Sequence, residues 1–384
     1  MVQLYRKRKI VGGGTFMKFT CNRDLLSEGI SIVQKAIPSK SNYPALECIL
    51  IEVSEDLILT GSDGDISITY QVAAIIEEIG SLLVNARLFS EIIRKLPDVY
   101  VTIETAPAGN GIQVNSGSSH FEIPTISSEQ YPRINFINNF DNSVELPADA
   151  FRSLVRQTAF AASVDSSKLV LRGVLMENKD GLLKFVAVDG LKLALKTYPN
   201  VNATDFKLVV PARVLTELTR ILDKNSDTLS FCYSETQIMF YNTSFKLVCG
   251  LLKGEFPAYP ALIPSDFSAS MTVNTEQFID TVERVTLVID DEKKWPVEFV
   301  TYPDEVFISV AGENGNSHEA LAAEIVGQEV TISFSKKTLL DCLKVVEKEK
   351  ITFNFPRGKG ACLVNSEDDD SFLLVIMPVK PRVR

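Results

Sequence analysis

Two basic side chains set seven residues apart recur in three amphipathic stretches of this 384-residue chain: Arg87 with Arg94, Arg213 with Arg220, and Lys337 with Lys344. Seven residues is nearly two helical turns, so each pair occupies one helix face, about 10 Å apart along the axis. Cations so placed suit the phosphates of a polyanion running past, held by charge without any reading of bases. A plainer use is open to them as well. Glu91, Glu217 and Asp341 follow the first base of each pair by four residues, the spacing of an intrahelical ion-pair ladder. Recurrence at one phase in otherwise diverged segments favours the polyanion.

Catalytic groupings are missing. The sequence contains no GxxxxGK(S/T) loop, no GxGxxG opening a helix after a strand, no HExxH and no GxSxG. His120 and His318 are the two histidines, and the six cysteines (Cys21, Cys48, Cys232, Cys249, Cys342, Cys362) lie far apart without CxxC spacing. A nucleophile–histidine pair or a metal centre has little to draw on, so no enzyme activity, cofactor or metal is expected, and the cysteines read as free thiols in a reducing cytoplasm. Asp63 and Asp189 sit in the related turns Gly61-Ser-Asp-Gly64 and Val188-Asp-Gly190, echoed loosely by Gly312-Glu-Asn-Gly315. Leu191 stands where a partner to Asp65 would fall, which counts against a catalytic carboxylate pair, and the glycines supply the positive φ of tight turns. The acidic run Glu367 to Asp370 reads as a solvated turn between strands at 361–365 and 371–377.

The elements that must carry the basic pairs come in three copies. VNARLFSEIIRKL at Val84, VPARVLTELTRIL at Val210 and FSKKTLLDCLKVV at Phe334 share one plan, and a short β-like run followed by a helix begins in step at Met17, Val144 and Met271. Periods this long are copies of whole domains, since solenoid repeats span roughly 20–50 residues. In the first copy a helix is expected over 24–35, strands at 46–53, 56–61 and 66–72, a second helix over 86–96 stopped by Pro97, and strands at 99–104, 111–115 and 120–124. The fold class is therefore α+β: three tandem copies of one domain, each with two helices and about eight short strands. Joints near Ile137 to Asn142 and Pro264 to Ser268 give domains at 17–138, 139–266 and 267–384. Residues 1–16, with bases from Arg6 to Lys9 and a glycine run, are expected to form a disordered extension. The net charge is −10 with those bases included, so any nucleic-acid surface must be a segregated basic lining on an acidic body. No apolar run approaches the roughly 18 residues of a membrane helix, and a soluble protein is expected.

Taken together and in order, MKFT with its following helix, TGSDGDISI, LRGVLMEN, AVDGLKLAL, VPARVLTELTRIL, LLKGEFPAYPALIP and SFLLVIMPVKP give a chain that resembles the bacterial sliding clamp, the beta subunit of the replicative DNA polymerase III holoenzyme, over nearly its whole length from Met17. The resemblance implies the DNA clamp fold and a head-to-tail homodimer closed as a ring around duplex DNA, in a cytoplasmic, nucleoid-associated protein. DNA-facing positions then fall on Arg87, Arg94, Arg213 and Arg220, on Lys40 and Lys168, and by repetition on Lys337 and Lys344. Leu169 and Val170 stand where the family often has two aromatics.

The resemblance further implies a partner-peptide cleft walled by Leu171, Gly190, Leu193, Pro257, Leu262, Val375, Met377, Pro378 and Val379, with Lys192 as a basic rim residue and Leu191 and Ala261 replacing polar or basic ones. Subunit closure would use Phe121 and Ile123 on one side and Val288 and Ile289 on the other. The implied partners are double-stranded DNA, a second copy, the replicative polymerase catalytic subunit, the clamp loader, and repair polymerases, ligase and mismatch-repair proteins carrying short apolar motifs. A non-ring interaction scaffold that keeps the same cleft is the alternative, and a hydrolase using Asp63 or Asp189 is the weaker one.

Overall fold

A computed structural model describes residues 16–222, 228–290, 295–312, 314–366 and 368–380. The bases Arg6 to Lys9, most of the 1–16 extension, Glu367 and the tail Pro381 to Arg384 lie outside the described residues. Among the described residues six α-helices come in three like pairs: α1 (Arg23–Val33) with α2 (Ala86–Lys95), α3 (Ala148–Thr158) with α4 (Ala212–Ile221), and α5 (Thr275–Val285) with α6 (Lys336–Leu343). Local chemistry sets their starts. The Asn22, Asn85 and Asn274 side chains accept from first-turn amides of α1, α2 and α5, while α3 and α4 follow Pro147 and Pro211. Of the apolar residues near helical spacing in α1, Leu26, Ile30 and Val33 are buried while Leu25 is 43 % exposed, and the helix gives way to a 3-10 turn at Gln34–Ala36. α2 ends one residue before Leu96, two before Pro97.

The chain divides into two units: residues 1–141 with 230–250, and residues 142–229 with 251–384. In the first unit the strands Phe245–Gly250, Ile66–Val72, Leu57–Ser62, Cys48–Val53, Gly80–Asn85, Ser119–Ser127, Gly111–Ser116, Tyr100–Thr105, Lys18–Asn22 and Ala74–Glu78 follow one another as sheet neighbours. The strand expected at 66–72 has those bounds, and the others differ by a residue or a few. Ala74–Glu78 and Gly80–Asn85 were not foreseen, and they bring the first copy to nine strands. Ala74–Glu78 is an edge strand with no buried residue, so it lacks the alternation that betrays a half-buried strand.

In the second unit a nine-stranded sheet runs Phe206–Pro211, Gly173–Lys179, Leu182–Val188, Lys192–Tyr198, Asp369–Ile376, Cys362–Ser366, Lys350–Pro356, Phe267–Asn274, Glu324–Gly327. A four-stranded sheet runs Gly315–Ala322, Glu305–Gly312, Pro296–Tyr302, Thr331–Ser335. Beneath α5 and α6, the rings of Phe278, Phe299, Phe334 and Phe353 pack edge-on or tilted, with centroids 5.3–6.4 Å apart, and all four are fully buried.

One joint between consecutive copies occurs twice. Ile66–Val72 of the first copy pairs antiparallel with Phe245–Gly250, the last strand of the second; Lys192–Tyr198 of the second pairs with Asp369–Ile376, the last strand of the third. Each joint lies within one unit.

Candidate nucleic-acid interface and cleft

All eight expected phosphate-facing bases are exposed: Lys40, Arg87, Arg94, Lys168, Arg213, Arg220, Lys337 and Lys344. The ion-pair ladder is partial. Arg87 Nε lies 3.3 Å from Glu91 Oε1, four residues on, with the arginine side chain 90 % exposed. In the second copy Arg220 turns back to Glu217, three residues before it, at 2.6 Å. In the third, Lys344 falls just past the end of α6, as its C-cap, and its ammonium reaches Glu283 of α5 at 2.7 Å. Exposed pairs of this kind contribute roughly 0–1 kcal/mol and exchange readily, so they leave these cations able to turn to phosphate.

Two loops bring Lys40 and Lys168 to the same end of their helix pairs. Ser41 N donates to Glu47 Oε1 at 2.8 Å, which fixes the loop carrying Lys40, and Cys48, next in the chain, pairs with Asn85, the N-cap of α2. Lys168 precedes the 3-10 turn Leu169–Arg172, and Gly173 pairs with Pro211 at the start of α4. Leu169 is 56 % exposed, whereas Val170 is buried.

The cleft residues gather about an apolar cluster in the second unit. Val170, Leu175, Val186, Val188, Leu193, Leu195, Val209, Phe256, Tyr259 and Val375 form it, with Leu171, Ile263 and Leu373 packed at its edge. Leu193 faces Val375 directly across the strand pair. Of the expected wall, Leu193 and Val375 are buried floor; Leu171, Pro257, Pro378 and Val379 are half-buried; Gly190, Leu262 and Met377 are exposed. The chain after Met377 is pinned by Val379 N donating to Ser333 O at 2.8 Å. Tyr259 donates its hydroxyl to Glu177 Oε2 at 2.7 Å; burial, then this carboxylate, push its phenol well above the ordinary range, so it stays neutral.

Lys192, expected as a basic rim residue, is ion-paired. Its Nζ lies 2.7 Å from Asp189 Oδ2, and the two side chains are 10 % and 15 % exposed. Asp189 Oδ1 also accepts from the backbone amides of Leu191 and Lys192, at 2.8 and 2.9 Å, across a turn in which Gly190 has φ +92°. Asp63 does the same job in the first copy, accepting from the amides of Asp65 and Ile66 once Gly64 has turned the chain at φ +97°. Both aspartates are therefore turn formers, and the reading of either as a catalytic base loses its ground.

The expected closure residues separate by burial. Phe121 is 39 % exposed, but Ile123 is buried beneath its strand, and Ile289 is buried against Gly312, where an added Cβ would stand 2.6 Å from the isoleucine. The exposed apolar side chain of the second group is Leu287, at 81 %, in the 3-10 turn Thr286–Val288; Val288 itself is half-buried. Three apolar residues in a row hid this, because a 3-10 turn shows only one of three positions to solvent. All six cysteines are free and buried, and burial pushes the thiols of Cys21 and Cys249 up to about 12, far from the nucleophilic thiolate. In the acidic run the turn at Asp368 is exposed between the two strands, as is Asp370, but Asp369 begins a strand and its carboxylate takes Lys196 Nζ at 3.0 Å, with side chains 15 % and 13 % exposed. Among the described residues no group of three or more His, Cys, Asp or Glu could hold a metal ion, and no helix is long and apolar enough to cross a membrane.

Three family descriptions match in sequence along the chain: the DNA polymerase III beta subunit N-terminal domain over residues 17–135, its central domain over 145–258 and its C-terminal domain over 261–380. The beta sliding clamp of Bacillus subtilis is 33 % identical over 378 residues, covering 95 % of this chain and all of that protein; that of Halalkalibacterium halodurans is 31 % identical over 381 residues, again covering 95 % of this chain and all of that one. Among solved structures, the DNA polymerase sliding clamp from Bacillus subtilis superposes with a TM-score of 0.91 at 32 % identity, covering 95 % of this chain and 100 % of that one. The beta subunit from Streptococcus pyogenes does so at 0.90 and 27 % identity, covering 94 % and 100 %.

Proposed function

Since the chain belongs to the family of the DNA polymerase III beta subunit, the beta sliding clamp of DNA replication, we propose that two copies close head to tail into a ring around duplex DNA and dock partner proteins through the cleft. The family is non-catalytic, and its partnership with DNA and polymerase is one of tethering.

One observation carries the ring. The chain joins consecutive copies by pairing a mid-domain strand with the last strand of the next copy, at Ile66–Val72 with Phe245–Gly250 and at Lys192–Tyr198 with Asp369–Ile376. The third copy's counterpart of that mid-domain strand, Gly315–Ala322, is the edge of its sheet, and the first copy's last strand is paired over 119–124 on one side alone, by Gly111–Ser116. Each end of the chain thus offers, among the described residues, one half of the joint. An open edge of that length invites a second chain, and a head-to-tail contact closes when its rotation does. Phe121 and Leu287 supply exposed apolar area beside the two edges, with Val288 behind. The eight exposed bases would line such a ring and meet phosphates through many exchangeable, salt-screened contacts, which permit sliding. Clamp loader, polymerase catalytic subunit, repair polymerases, ligase and mismatch-repair proteins would share the cleft by short apolar motifs.

Retention on DNA tests this. After loading by a clamp loader of proven activity, the protein should remain on nicked circular plasmid and run off the same plasmid once linearised. Equal retention on both would mean ordinary binding. Failure to be retained on either, with sedimentation as a single chain, would leave the scaffold reading.

A further inference from the structure

The cleft's mouth has a chemistry of its own at one corner. Leu191, Leu262 and Met377 are 55 %, 45 % and 42 % exposed, large apolar side chains left facing solvent within two residues of Leu193, Ile263 and Val375, which belong to the buried cluster or its edge. Leu191 and Met377 are neighbours by hydrogen bond, since Met377 N donates to Leu191 O at 2.8 Å. Leu262 closes the 3-10 turn Tyr259–Leu262, whose Tyr259 sits in the cluster with Leu193 and Val375.

Leu191 is held outward by the turn beneath it. The Asp189 carboxylate accepts the Leu191 and Lys192 amides and the Lys192 ammonium together, which ties the turn and takes up the Lys192 charge. Arg172, Lys253 and Lys380 are exposed, Lys380 three residues past Met377 in the chain. Arg172 Nε is engaged by Ser166 O at 2.9 Å. At the Leu191–Met377 corner, an acidic ligand side chain would lose hydration over two apolar residues, and the Lys192 ammonium beside it is already neutralised by Asp189.

We propose that Leu191 is a specificity-determining residue of the cleft: its corner takes an uncharged apolar side chain of a short extended peptide and selects against an acidic one at that position. The Asp189–Lys192 pair acts as its positioning element. This rests on the reading of the groove as a peptide cleft.

The test uses the full chain and fluorescence anisotropy with a short fluorescein-labelled peptide carrying three leucine or phenylalanine anchors, plus sister peptides with each anchor in turn changed to Ser or Asp. One anchor position should be the one that Leu191 reads. There the wild type should bind Leu about tenfold more tightly than Asp. In Leu191→Lys that ratio should fall to about threefold or less, while the preferences at the other two anchors stay put. Leu191 is largely exposed, so folding should be unaltered, and far-UV circular dichroism with thermal melting checks it. An Asp189→Asn variant, which keeps the turn acceptor but frees Lys192, should shift the same anchor in the same direction by a smaller factor. If peptides bind but Leu191→Lys leaves every ratio unchanged, the assignment of Leu191 fails and the cleft stands. If none of the peptides binds the wild type, the cleft reading itself fails and this one with it.

Discussion

Strand Phe245–Gly250 meets Ile66–Val72 in one unit as Asp369–Ile376 meets Lys192–Tyr198 in the other, yet the two joints are held by different forces. The first is apolar: Phe245, Leu247, Val248 and Cys249 lie buried against Ile66, Ile68 and Val72, and its buried polar feature is a hydroxyl pair, Ser62 with Ser67 at 2.8 Å. The second adds charge. Lys196 reaches Asp369 at 3.0 Å and its ammonium stands 5.7 Å from the centroid of the Phe372 ring, while Lys192 pairs with Asp189 at the strand's other end. Apolar alternation tells a strand which face is in, and a buried charge pair adds a second condition on register, because Lys196 meets Asp369 only when it lies against Phe372. The joint so fixed is the one that ends in the cleft, where Met377 bonds Leu191. A slip of one residue there would turn every side chain of Asp369–Ile376 to the wrong face and dismantle the mouth.

The comparison breaks most readily at its apolar half. Leu247 has no exposed surface, and Leu247→Ala should cost roughly 3 kcal/mol through lost burial and a residual cavity, read by urea unfolding of the full chain. Peptide affinity should not follow it, since the cleft is built in the other unit. A drop in affinity as large as the drop in stability would mean that the joints are not independent.

The charged half should respond by a different rule. Asp369→Ala strands a nearly buried ammonium and should cost roughly 2–3 kcal/mol, whereas Lys196→Met with Asp369→Leu should return most of that, because desolvation of both ions is removed together. If the pair does set register, the double variant should regain stability and still bind peptide less tightly than the wild type. Recovery of both would show the charges to be dispensable for the cleft.

Much of this was legible in the sequence, and the gaps have physical causes. The helix pairs announce themselves by apolar spacing, and the repeat implies that one domain plan recurs. Ala74–Glu78 escaped because an edge strand with no buried residue has no periodicity to read. The Lys196–Asp369 pair could not be foreseen, since 173 residues separate its partners and only the fold brings them together. The Asp189–Lys192 pair had a signal: an aspartate, a turn glycine and a lysine three residues on from the aspartate, the geometry that also closes the turn. The charge of Lys192 shows in the sequence, but the turn that folds it back onto Asp189 does not.

A smaller effect comes from acid. Burial alone would raise the Asp369 pKa, but hydrogen bonds from Ser371 and Lys196 outweigh it and hold the carboxyl below its ordinary value. A depressed folded pKa gives stability that is complete above the unfolded value of about 4 and is lost as pH falls below it. The second unit should therefore lose part of its stability as pH falls below about 4, and Asp369→Asn should remove that increment, seen as a flatter dependence of the urea midpoint on pH.

The smallest effect on stability belongs to the exposed bases, and it sharpens the comparison by separating what holds the molecule from what it acts upon. Arg87 is 90 % exposed and engaged by Glu91 alone among the described contacts that involve it, so Arg87→Gln should change stability by less than about 0.5 kcal/mol. Its consequence should appear in DNA binding measured against salt: if Arg87 meets a phosphate, log K against log salt should flatten by roughly 0.9 for the one contact removed. Sequence preference should not change, because a phosphate contact carries none. An unchanged slope in Arg87→Gln, together with a normal fold, would leave the Glu91 pairing as the residue's whole role and take α2 off the DNA-facing surface.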